Sequence, residues 1–268
     1  MRAPVVRALG FESAWGRGVA AWPADARAAA AGRLVLSLGD PGAGPERSRR
    51  TPRECLWGVA AIEAMLEDGG ARRGVLAGEG TALIAVTAAA YGASNRAFIE
   101  RTGASPYFPY TAPAAVPAEI AIEFGLAGPQ MILIGGPPAT LQAIWHAAVL
   151  LDTGACAQAL VLAVETFEEC ADLYARARRR AREPLVEAVA CLWLLPGEGT
   201  LELAPDAEPA APAPTEVRRR LGESFACEPL AALAHARATA RATDPVTLRG
   251  VWRGERARLT WSAAWPGR

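Results

Sequence analysis

The sequence predicts a layered α/β fold, and three observations support that prediction. Hydrophobic residues make up 51% of the 268 residues, enough to bury a full core without metal ions or disulfides. Short, wholly apolar segments alternate with segments of helical periodicity, the pattern of a sheet that helices cover on both faces. The 26 Gly and 21 Pro residues indicate frequent turns between these elements.

The charges of the chain balance, which excludes several classes of function. The sequence has 28 basic and 28 acidic residues, and this neutrality argues against a dedicated nucleic-acid binder. Every basic residue is Arg, so chemistry that needs a Schiff-base or P-loop lysine is excluded. No apolar run approaches the roughly 20 residues of a membrane span. We therefore expect a cytoplasmic protein without membrane insertion.

The cysteines and histidines predict neither a metal site nor a cofactor. The number of cysteines is odd, no two form a CxxC pair, and most lie in apolar surroundings, which is typical of buried free thiols. The two histidines, His146 and His235, are too few for a His/Cys zinc site. The cysteines are Cys55, Cys156, Cys170, Cys191 and Cys227.

The first elements of the chain are predicted to be one strand and one long helix. Residues 1–50 are expected to be irregular apart from a strand at 33–38. A helix is predicted over 51–68 because its apolar residues recur at helical spacing and Gly-Gly follows it. Thr51 is expected to be the N-cap, and Glu54 would complete a capping box.

The next segments predict further buried elements around a long loop. The apolar segments 74–78 and 82–87 are interpreted as a strand and its continuation, or as a strand followed by a helix. Residues 102–117 contain four prolines and are predicted to be a loop. A short helix is expected at 118–124, ended by a glycine.

The strongest pattern predicts a β-α-β unit in the middle of the chain. A wholly apolar strand at 131–134 is followed by a tight Gly-Gly-Pro-Pro turn at 135–138 and a helix at 139–151. The next apolar strand, 159–164, ends at Glu165. Continuous apolar strands joined by a helix are typical of a parallel sheet.

The remaining elements are predicted to complete the core. They are an Arg-rich helix at 172–182, a strand at 188–195, a Pro/Ala linker at 204–214, a helix at about 228–241, and a hairpin of strands 246–252 and 257–261. We expect a first domain over 1–197, with 198–268 as a short helix and hairpin that pack on the same core.

Several motifs in this order resemble the N-terminal domain of the β-ketoacyl-ACP synthases, the ketosynthases of the thiolase-like superfamily. The lead-in Ala-Ile-Glu-Phe-Gly-Leu-Ala-Gly-Pro at 121–129, the helix from Leu141 to Gly154 and the strand 161–165 match the family's pattern. The helix at 51–68 and the segment 183–188 also fit it. The resemblance implies a thiolase-like layered α/β fold, truncated to one ketosynthase-like half plus a short C-terminal remnant.

The departure from the family pattern lies at the strand-to-helix turn. There the family's catalytic cysteine matches Pro137, within the degenerate elbow Gly135, Gly136, Pro137 and Pro138. Proline has no nucleophile and no N–H for an oxyanion hole. The two histidines of this sequence lie in helices outside any motif of the family's catalytic pair. The sequence therefore predicts a ketosynthase-like chain without ketosynthase chemistry.

The resemblance implies a role for such a chain. In type II polyketide, aryl polyene and fatty acid synthesis, nucleophile-less homologues called chain length factors pair with an active ketosynthase and shape its acyl tunnel. The expected partners are a full-length β-ketoacyl-ACP synthase, in a heterodimer, and an acyl carrier protein. Two alternatives remain open: an acyltransferase or thioesterase that uses Cys170 or Cys156, and a homodimeric scaffold.

Two groups of residues are candidates for contact with these partners. Aromatic side chains are enriched in interface cores, and Arg pairs well with carboxylates and phosphates. For both groups, ordinary packing or a solvated helix face is the competing interpretation, and Glu165 is interpreted as structural. The tunnel or interface candidates are Phe98, Tyr107, Phe108 and Tyr110, and the carrier-protein candidates are Arg176, Arg178, Arg179, Arg180 and Arg182.

Overall fold

Within the part of the chain that the structure describes, a mixed sheet of eight strands forms the centre of the molecule. The computed structural model describes residues 1–41, 51–100, 105–177, 183–206, 215–239 and 245–265. The strands are β1 (Arg2–Ser13), β2 (Gly16–Arg17), β3 (Val35–Leu36), β4 (Thr81–Thr87), β5 (Gln130–Ile134), β6 (Gln158–Glu165), β7 (Leu185–Val186), β8 (Ala188–Pro205), β9 (Val246–Trp252) and β10 (Glu255–Trp261). The helices are α1 (Ala26–Ala30), α2 (Arg53–Asp68), α3 (Tyr91–Glu100), α4 (Ala115–Phe124), α5 (Pro137–Asp152), α6 (Ala171–Ala177), α7 (Glu216–Leu221) and α8 (Glu228–Ala238).

The order of the strands is β2-β1-β8-β6-β4-β5. Strand β10 pairs on one side with the last part of β8 and on the other side with β9. Strand β4 pairs in parallel with β5 and with β6, which confirms the predicted β-α-β unit. Strand β8 runs antiparallel to β6 and to β1. The sheet is therefore mixed, and among its described strands the expected parallel pairing joins β5, β4 and β6. A separate two-stranded sheet, β3 with β7, is also parallel.

Helices cover both faces of this sheet, as the sequence predicts. On β4, Ile84 packs into the core shared with α5, α8 and the β9–β10 hairpin, whereas Leu83 packs into the core under α2 and α4. On β6, Val161 packs into the first of these cores and Leu160 into the second. Because successive residues of a strand point to opposite faces, a strand buried on both sides must be apolar throughout.

Two predictions for the first third of the chain are wrong. Residues 2–13 form the long strand β1, whereas only Val35–Leu36 of the predicted strand 33–38 pairs, with β7. Two register shifts interrupt β1 near Pro4, which hides its alternation in the sequence. The predicted strand at 74–78 is a 3₁₀ helix, Arg73–Leu76. The strand in this part of the chain is β4, which covers the second predicted segment, 82–87.

The long helix exists, but it begins at Arg53, one residue later than a capping box from Thr51 to Glu54 requires. The N-cap of α2 is Pro52, with no side-chain cap, and its carbonyl accepts from the backbone N–H of Cys55 at 3.0 Å. Glu54 is buried and accepts from the Ser94 hydroxyl at 2.5 Å instead of reaching back to Thr51. Further on, the predicted loop contains a 3₁₀ helix, Ser105–Thr111, and α4 begins three residues before the predicted helix at 118.

The last third of the chain packs on the same core as the first. Strand β8 continues to Pro205, well past the predicted end at 195, and its second half pairs with β10. Strand β8 crosses the expected boundary between residues 197 and 198. The division of the chain into 1–197 and 198–268 stays a prediction. The hairpin is confirmed as β9 and β10, while α7 was not anticipated. Residues 207–214 of the predicted linker lie outside the described residues.

Candidate functional site

The predicted elbow is a sharp turn between β5 and α5. After Ile134, Gly136 is the N-cap of α5, and Pro137 and Pro138 occupy the first two helical positions. Proline is favoured there because its fixed φ suits the first turn and its missing N–H is not needed. The Gly135 N–H donates to the Thr87 carbonyl at 2.9 Å, so the turn is attached to the end of β4.

The two prolines remove the donors that an elbow normally offers. The first backbone N–H groups of a helix are unpaired and can stabilise an oxyanion. Here positions one and two have no N–H, and the next one, of Ala139, donates to the Gly136 carbonyl at 2.9 Å. The elbow therefore has no nucleophilic side chain at Pro137 and no N–H at the first two positions of α5.

The C-terminal hairpin closes the elbow from above. A β-carbon added at Gly136 would come within 2.5 Å of the Trp252 ring, and one added at Gly250 would come within 2.7 Å of the Pro137 carbonyl carbon. Pro137 and Pro138 are both buried. Sequence reasoning missed this cover, although a glycine inside a strand, such as Gly250, often marks a close backbone approach.

A cluster of aromatic rings extends the cover over the carboxyl ends of β4, β5 and β6. The ring of Phe225 lies 4.6 Å from that of Trp252 and 5.0 Å from that of Phe167, and Tyr174 contacts Phe167 at 5.5 Å. Phe225 has a φ of +42°, a left-handed conformation that is uncommon for an aromatic residue. This is the end of the sheet at which α/β proteins bind ligands, and aromatic side chains occupy it.

Glu165 joins this cover to the sheet. It is fully buried at the end of β6 and accepts backbone N–H groups from Ala88 at 2.7 Å, Ala89 at 3.1 Å and Ala226 at 3.2 Å. Burial raises the pKa of Glu165 to about 8, although these hydrogen bonds act in the opposite direction. It also accepts from the Thr87 hydroxyl at 3.5 Å. Its partners therefore belong to the end of β4 and to the segment before α8, which supports the structural interpretation.

Another buried acidic residue, Glu187, forms an ion pair with Arg53. Arg53 donates to Glu187 at 2.7 and 2.8 Å and to Glu169 at 2.8 and 3.1 Å. Glu187 also accepts the backbone N–H groups of Phe167 at 2.6 Å and Leu38 at 2.8 Å. Burial would raise the pKa of Glu187, but Arg53 and these hydrogen bonds outweigh burial and lower it. The sequence pattern did not single out this pair.

The histidines do not form a catalytic pair with the elbow. His146 is nine residues after Pro137 on α5, about 14 Å along the helix axis, and its ring contacts Trp145. His235 is buried on α8, where it stacks on Trp22 with a centroid distance of 6.0 Å. Each ring packs against an indole, and His235 Nε2 also lies 3.7 Å from a carboxylate oxygen of Glu216.

The cysteines proposed as alternative nucleophiles have raised pKa values. All five cysteines lie in the described ranges, and each is a free thiol. Burial raises the pKa of Cys156, which lies before β6 at the opposite end of the sheet from the elbow, and that of Cys170, which is half-buried after β6. A protonated thiol is a poor nucleophile. Across the described part of the chain, no three His, Cys, Asp or Glu side chains group as metal ligands.

The candidate tunnel residues divide into two environments. Phe98 on α3 and Phe108 in the 3₁₀ helix contact each other at 5.6 Å, and Phe108 is 63% exposed. Tyr110 is half-buried and donates to Glu119 of α4 at 3.1 Å. Tyr107 lies in the same 3₁₀ helix. Beside Phe98, Ile99 is 78% exposed, so α3 and the 3₁₀ helix together present a small apolar surface.

Strand β5 forms one edge of the sheet, and its carboxyl end lies beside the end of β4, the strand that leads into α3. Among the described strands it pairs with β4 alone, and four of its five residues are apolar. Its last residue, Ile134, is 49% exposed. Ile134 pairs with Thr87, the last residue of β4, and α3 begins four residues after Thr87. An apolar edge strand without a charged residue, such as β5, is open to pairing with another chain.

The carrier-protein candidates are only partly described. Arg176, on α6, is exposed and pairs with Asp172 at 2.8 Å. Arg178, Arg179, Arg180 and Arg182 lie outside the described residues. Within the helices that are described, none is both long and apolar enough to cross a membrane.

The comparisons with known proteins agree with this geometry. The family model for the β-ketoacyl synthase N-terminal domain matches residues 41–184. The ishigamide ketosynthase/chain length factor structure superimposes with a TM-score of 0.71 at 18% identity, over 96% of this chain and 98% of that chain. The AntDE:AntF structure, a type II PKS acyl-carrier protein in complex with its ketosynthase, gives 0.73 at 15% identity over 98% and 100%.

A third structure, the ketosynthase ApeO in complex with its chain length factor ApeC from Xenorhabdus doucetiae, gives a TM-score of 0.61 at 11% identity, over 98% of this chain and 100% of that chain. At these identities the structures show the shared thiolase-like α/β fold alone. No curated protein sequence matches the chain. The match over 144 of 268 residues, together with this fold, shows that the chain belongs to the β-ketoacyl synthase N-terminal domain family.

Proposed function

We propose that this protein is a non-catalytic ketosynthase-like subunit, a chain length factor, that pairs with an active β-ketoacyl-ACP synthase. The partner would carry out condensation in type II polyketide, aryl polyene or fatty acid synthesis. The proline at the elbow and the buried cover above it support the absence of condensing chemistry in this chain. Chain length factors occur in two of the structures with the same fold.

The observation that carries the proposal is the apolar edge strand β5. The other edges of the sheet are protected in ways that natural proteins commonly use. Strand β2 has only two residues and pairs with the last two of β1, while backbone groups of Val6, Leu9 and Phe11 on the rest of that edge bond to other parts of the chain. Strand β9 alternates buried residues with exposed polar ones such as Thr247 and Arg249. Strand β5 has neither protection, and the exposed side chains of Phe98, Ile99 and Phe108 lie on elements that follow from the same corner of the sheet. A partner that adds a strand to β5 would cover this surface.

The apolar surface also supports the tunnel role. If the partner binds along β5, α3 and the 3₁₀ helix reach its surface, and Phe98 and Phe108 become the side chains that close its acyl tunnel. Each extra methylene that fits would gain about 0.8 kcal/mol, whereas a bulky ring stops elongation by a clash. Tyr110 contributes less in this arrangement, because its hydroxyl is bonded to Glu119 of its own chain.

An acyl carrier protein is the second proposed partner. Carrier proteins are acidic, and Arg176 and the arginines that follow it in the sequence would meet them electrostatically. Replacing Arg176 with Ala should slow turnover of the assembled complex in a salt-dependent way and leave the product length unchanged.

Co-expression with a full-length ketosynthase that has an intact Cys/His/His set tests the pairing. We expect a 1:1 complex on size-exclusion chromatography and a higher soluble yield than from this chain alone, as an interface of the obligate class implies. Ile134→Arg should abolish the complex. Val75→Arg is the matched control: Val75 is 48% exposed, against 49% for Ile134, but it precedes β4 at the other end of the sheet.

Three other results would count against the proposal. A monodisperse monomer that ignores the ketosynthase would contradict it, and a stable homodimer that excludes the ketosynthase would favour the scaffold alternative. Decarboxylation of malonyl-loaded carrier protein by the isolated chain would favour an enzyme instead.

A further inference from the structure

Three consecutive polar residues on α3 each bond to a different part of the chain. The Ser94 hydroxyl donates to Glu54 of α2 at 2.5 Å, and both side chains are buried. Asn95 Nδ2 donates to the carbonyl of Thr111 at 2.8 Å and to that of Tyr91 at 2.9 Å. These bonds fix the position of α3 from its inner side.

Arg96 attaches α3 on a different side. It donates to the Glu169 carbonyl at 2.9 Å and forms an ion pair with Asp172 of α6. It also pairs with Glu100, one turn further along α3, at 3.0 Å. Arg96 thus connects α3 to the segment after β6, whereas Asn95 connects α3 to the 3₁₀ helix that carries Phe108.

We infer that Asn95 is a positioning residue that determines which acyl length the complex selects. Phe98 is on α3 and Phe108 is in the 3₁₀ helix, so their contact at 5.6 Å joins two separate elements. The hydrogen bond from Asn95 to Thr111 holds these elements in one relative position, three residues from each ring. This inference rests on the proposed tunnel role of Phe98 and Phe108.

Hydrogen–deuterium exchange on the isolated chain tests the structural step without any partner. Asn95→Asp keeps the size of the side chain but replaces its donors with acceptors, which would repel both carbonyls. We expect exchange of the backbone amides in 105–111 to rise about two- to tenfold, as the loss of one hydrogen bond implies. Asn95→Ala removes the bond without adding charge and guards against misfolding of the Asp variant. Arg96→Gln is the matched control. We expect this variant to exchange faster in 168–177, where Arg96 bonds, and to leave exchange in 105–111 unchanged.

Mass spectrometry of carrier-bound products from the reconstituted complex tests the functional step. Asn95→Asp should broaden the distribution of acyl lengths at a similar total rate, whereas Arg96→Gln should leave the distribution unchanged. Unchanged exchange in 105–111 overturns the inference, and so does an unchanged product distribution when Phe98→Ala shifts it. If Phe98→Ala and Phe108→Ala also change nothing in an intact complex, the tunnel role itself has failed and the inference fails with it.

Discussion

The indole of Trp252 lies where a side chain at Gly136 would have to be. A β-carbon at Gly136 would come within 2.5 Å of the indole ring, closer than real side chains approach one another. The two residues are 116 positions apart in the sequence, one at the elbow and one at the end of β9. The absence of a side chain at the elbow and the presence of a bulky ring in the hairpin therefore depend on each other.

This relationship predicts the effect of Gly136→Ala. Gly136 has a φ of −87°, outside the left-handed region that favours glycine, so the clash with the ring is the main cost of the substitution. We expect a loss of about 1–3 kcal/mol in the free energy of unfolding, the usual cost of overpacking a core. In a double-mutant cycle measured by urea denaturation, Trp252→Leu should recover part of that loss.

Gly80→Ala is the control for this measurement, because its added β-carbon would meet only the Ala157 side chain at 3.8 Å. If Gly136→Ala is as neutral as Gly80→Ala, the hairpin does not rest on the elbow as described.

A cysteine placed at the elbow should be inert and inaccessible. Pro137→Cys supplies a thiol, but the described residues bring no general base to it, so condensing activity should not appear. The cover should also protect the thiol from iodoacetamide in the folded protein. Trp252→Ala in the same background should expose it and raise the alkylation rate. Intact-mass measurements follow the alkylation. Both variants also carry Cys170→Ser, because Cys170 is half-buried and its own alkylation would add to the signal.

The buried ion pair predicts a large effect of Arg53→Ala. Glu187 would remain fully buried without its cation, and breaking a buried pair in this way costs about 3–5 kcal/mol. Arg73→Ala is the control, because Arg73 pairs with Glu63 and Glu123 at the surface and exposed pairs contribute about 0–1 kcal/mol. Thermal unfolding compares the two variants, and equal effects would refute the role assigned to Glu187.

The raised pKa values of two buried carboxyl groups predict how stability depends on pH. Burial raises the pKa of Glu165 to about 8 and that of Glu228 to about 7, so the folded state keeps protons that the unfolded chain loses near pH 4–5. The folded state then binds more protons than the unfolded state, and the free energy of unfolding falls as the pH rises from about 5 to about 8.

Urea unfolding at a series of pH values measures this dependence. Glu165→Gln mimics the protonated carboxyl group, so its unfolding free energy should fall less steeply with pH than that of the wild type. A parent protein whose stability rises through this range would contradict the assignment.

Local patterns in the sequence predicted the elements whose partners are near in the chain. Strands β5 and β6 with α5 between them form one continuous unit, and each strand is apolar because helices cover both its faces. Strand β1 was missed because its partner in the sheet, β8, begins at residue 188 and because register shifts disrupt its alternation. The capping box failed because Glu54 was drawn inward by Ser94, forty residues later.

The elbow was predictable for the same reason, and its cover was not. Gly135 to Pro138 stand between a strand and a helix, so their geometry follows from local rules. Trp252 reaches the elbow, and Phe225 packs on Trp252, through the fold of the last fifty residues, and no spacing in the sequence records that approach. The left-handed φ of Phe225 is also a product of this packing, since aromatic residues have no local preference for it.

The length of β8 governs the order in which this protein can be built. The strand has 18 residues and extends over about 60 Å, with β1 along its first half and beyond and β10 along its second. Arg2 pairs with Thr200, so nearly two hundred residues must leave the ribosome before the N-terminal strand can find its place. During that interval β1 has only the two-residue strand β2 as a partner, and contacts as distant in sequence as those with β8 form slowly. Cellular folding of this protein therefore waits on synthesis of β8, and a nascent chain stalled before residue 188 would hold an incomplete sheet.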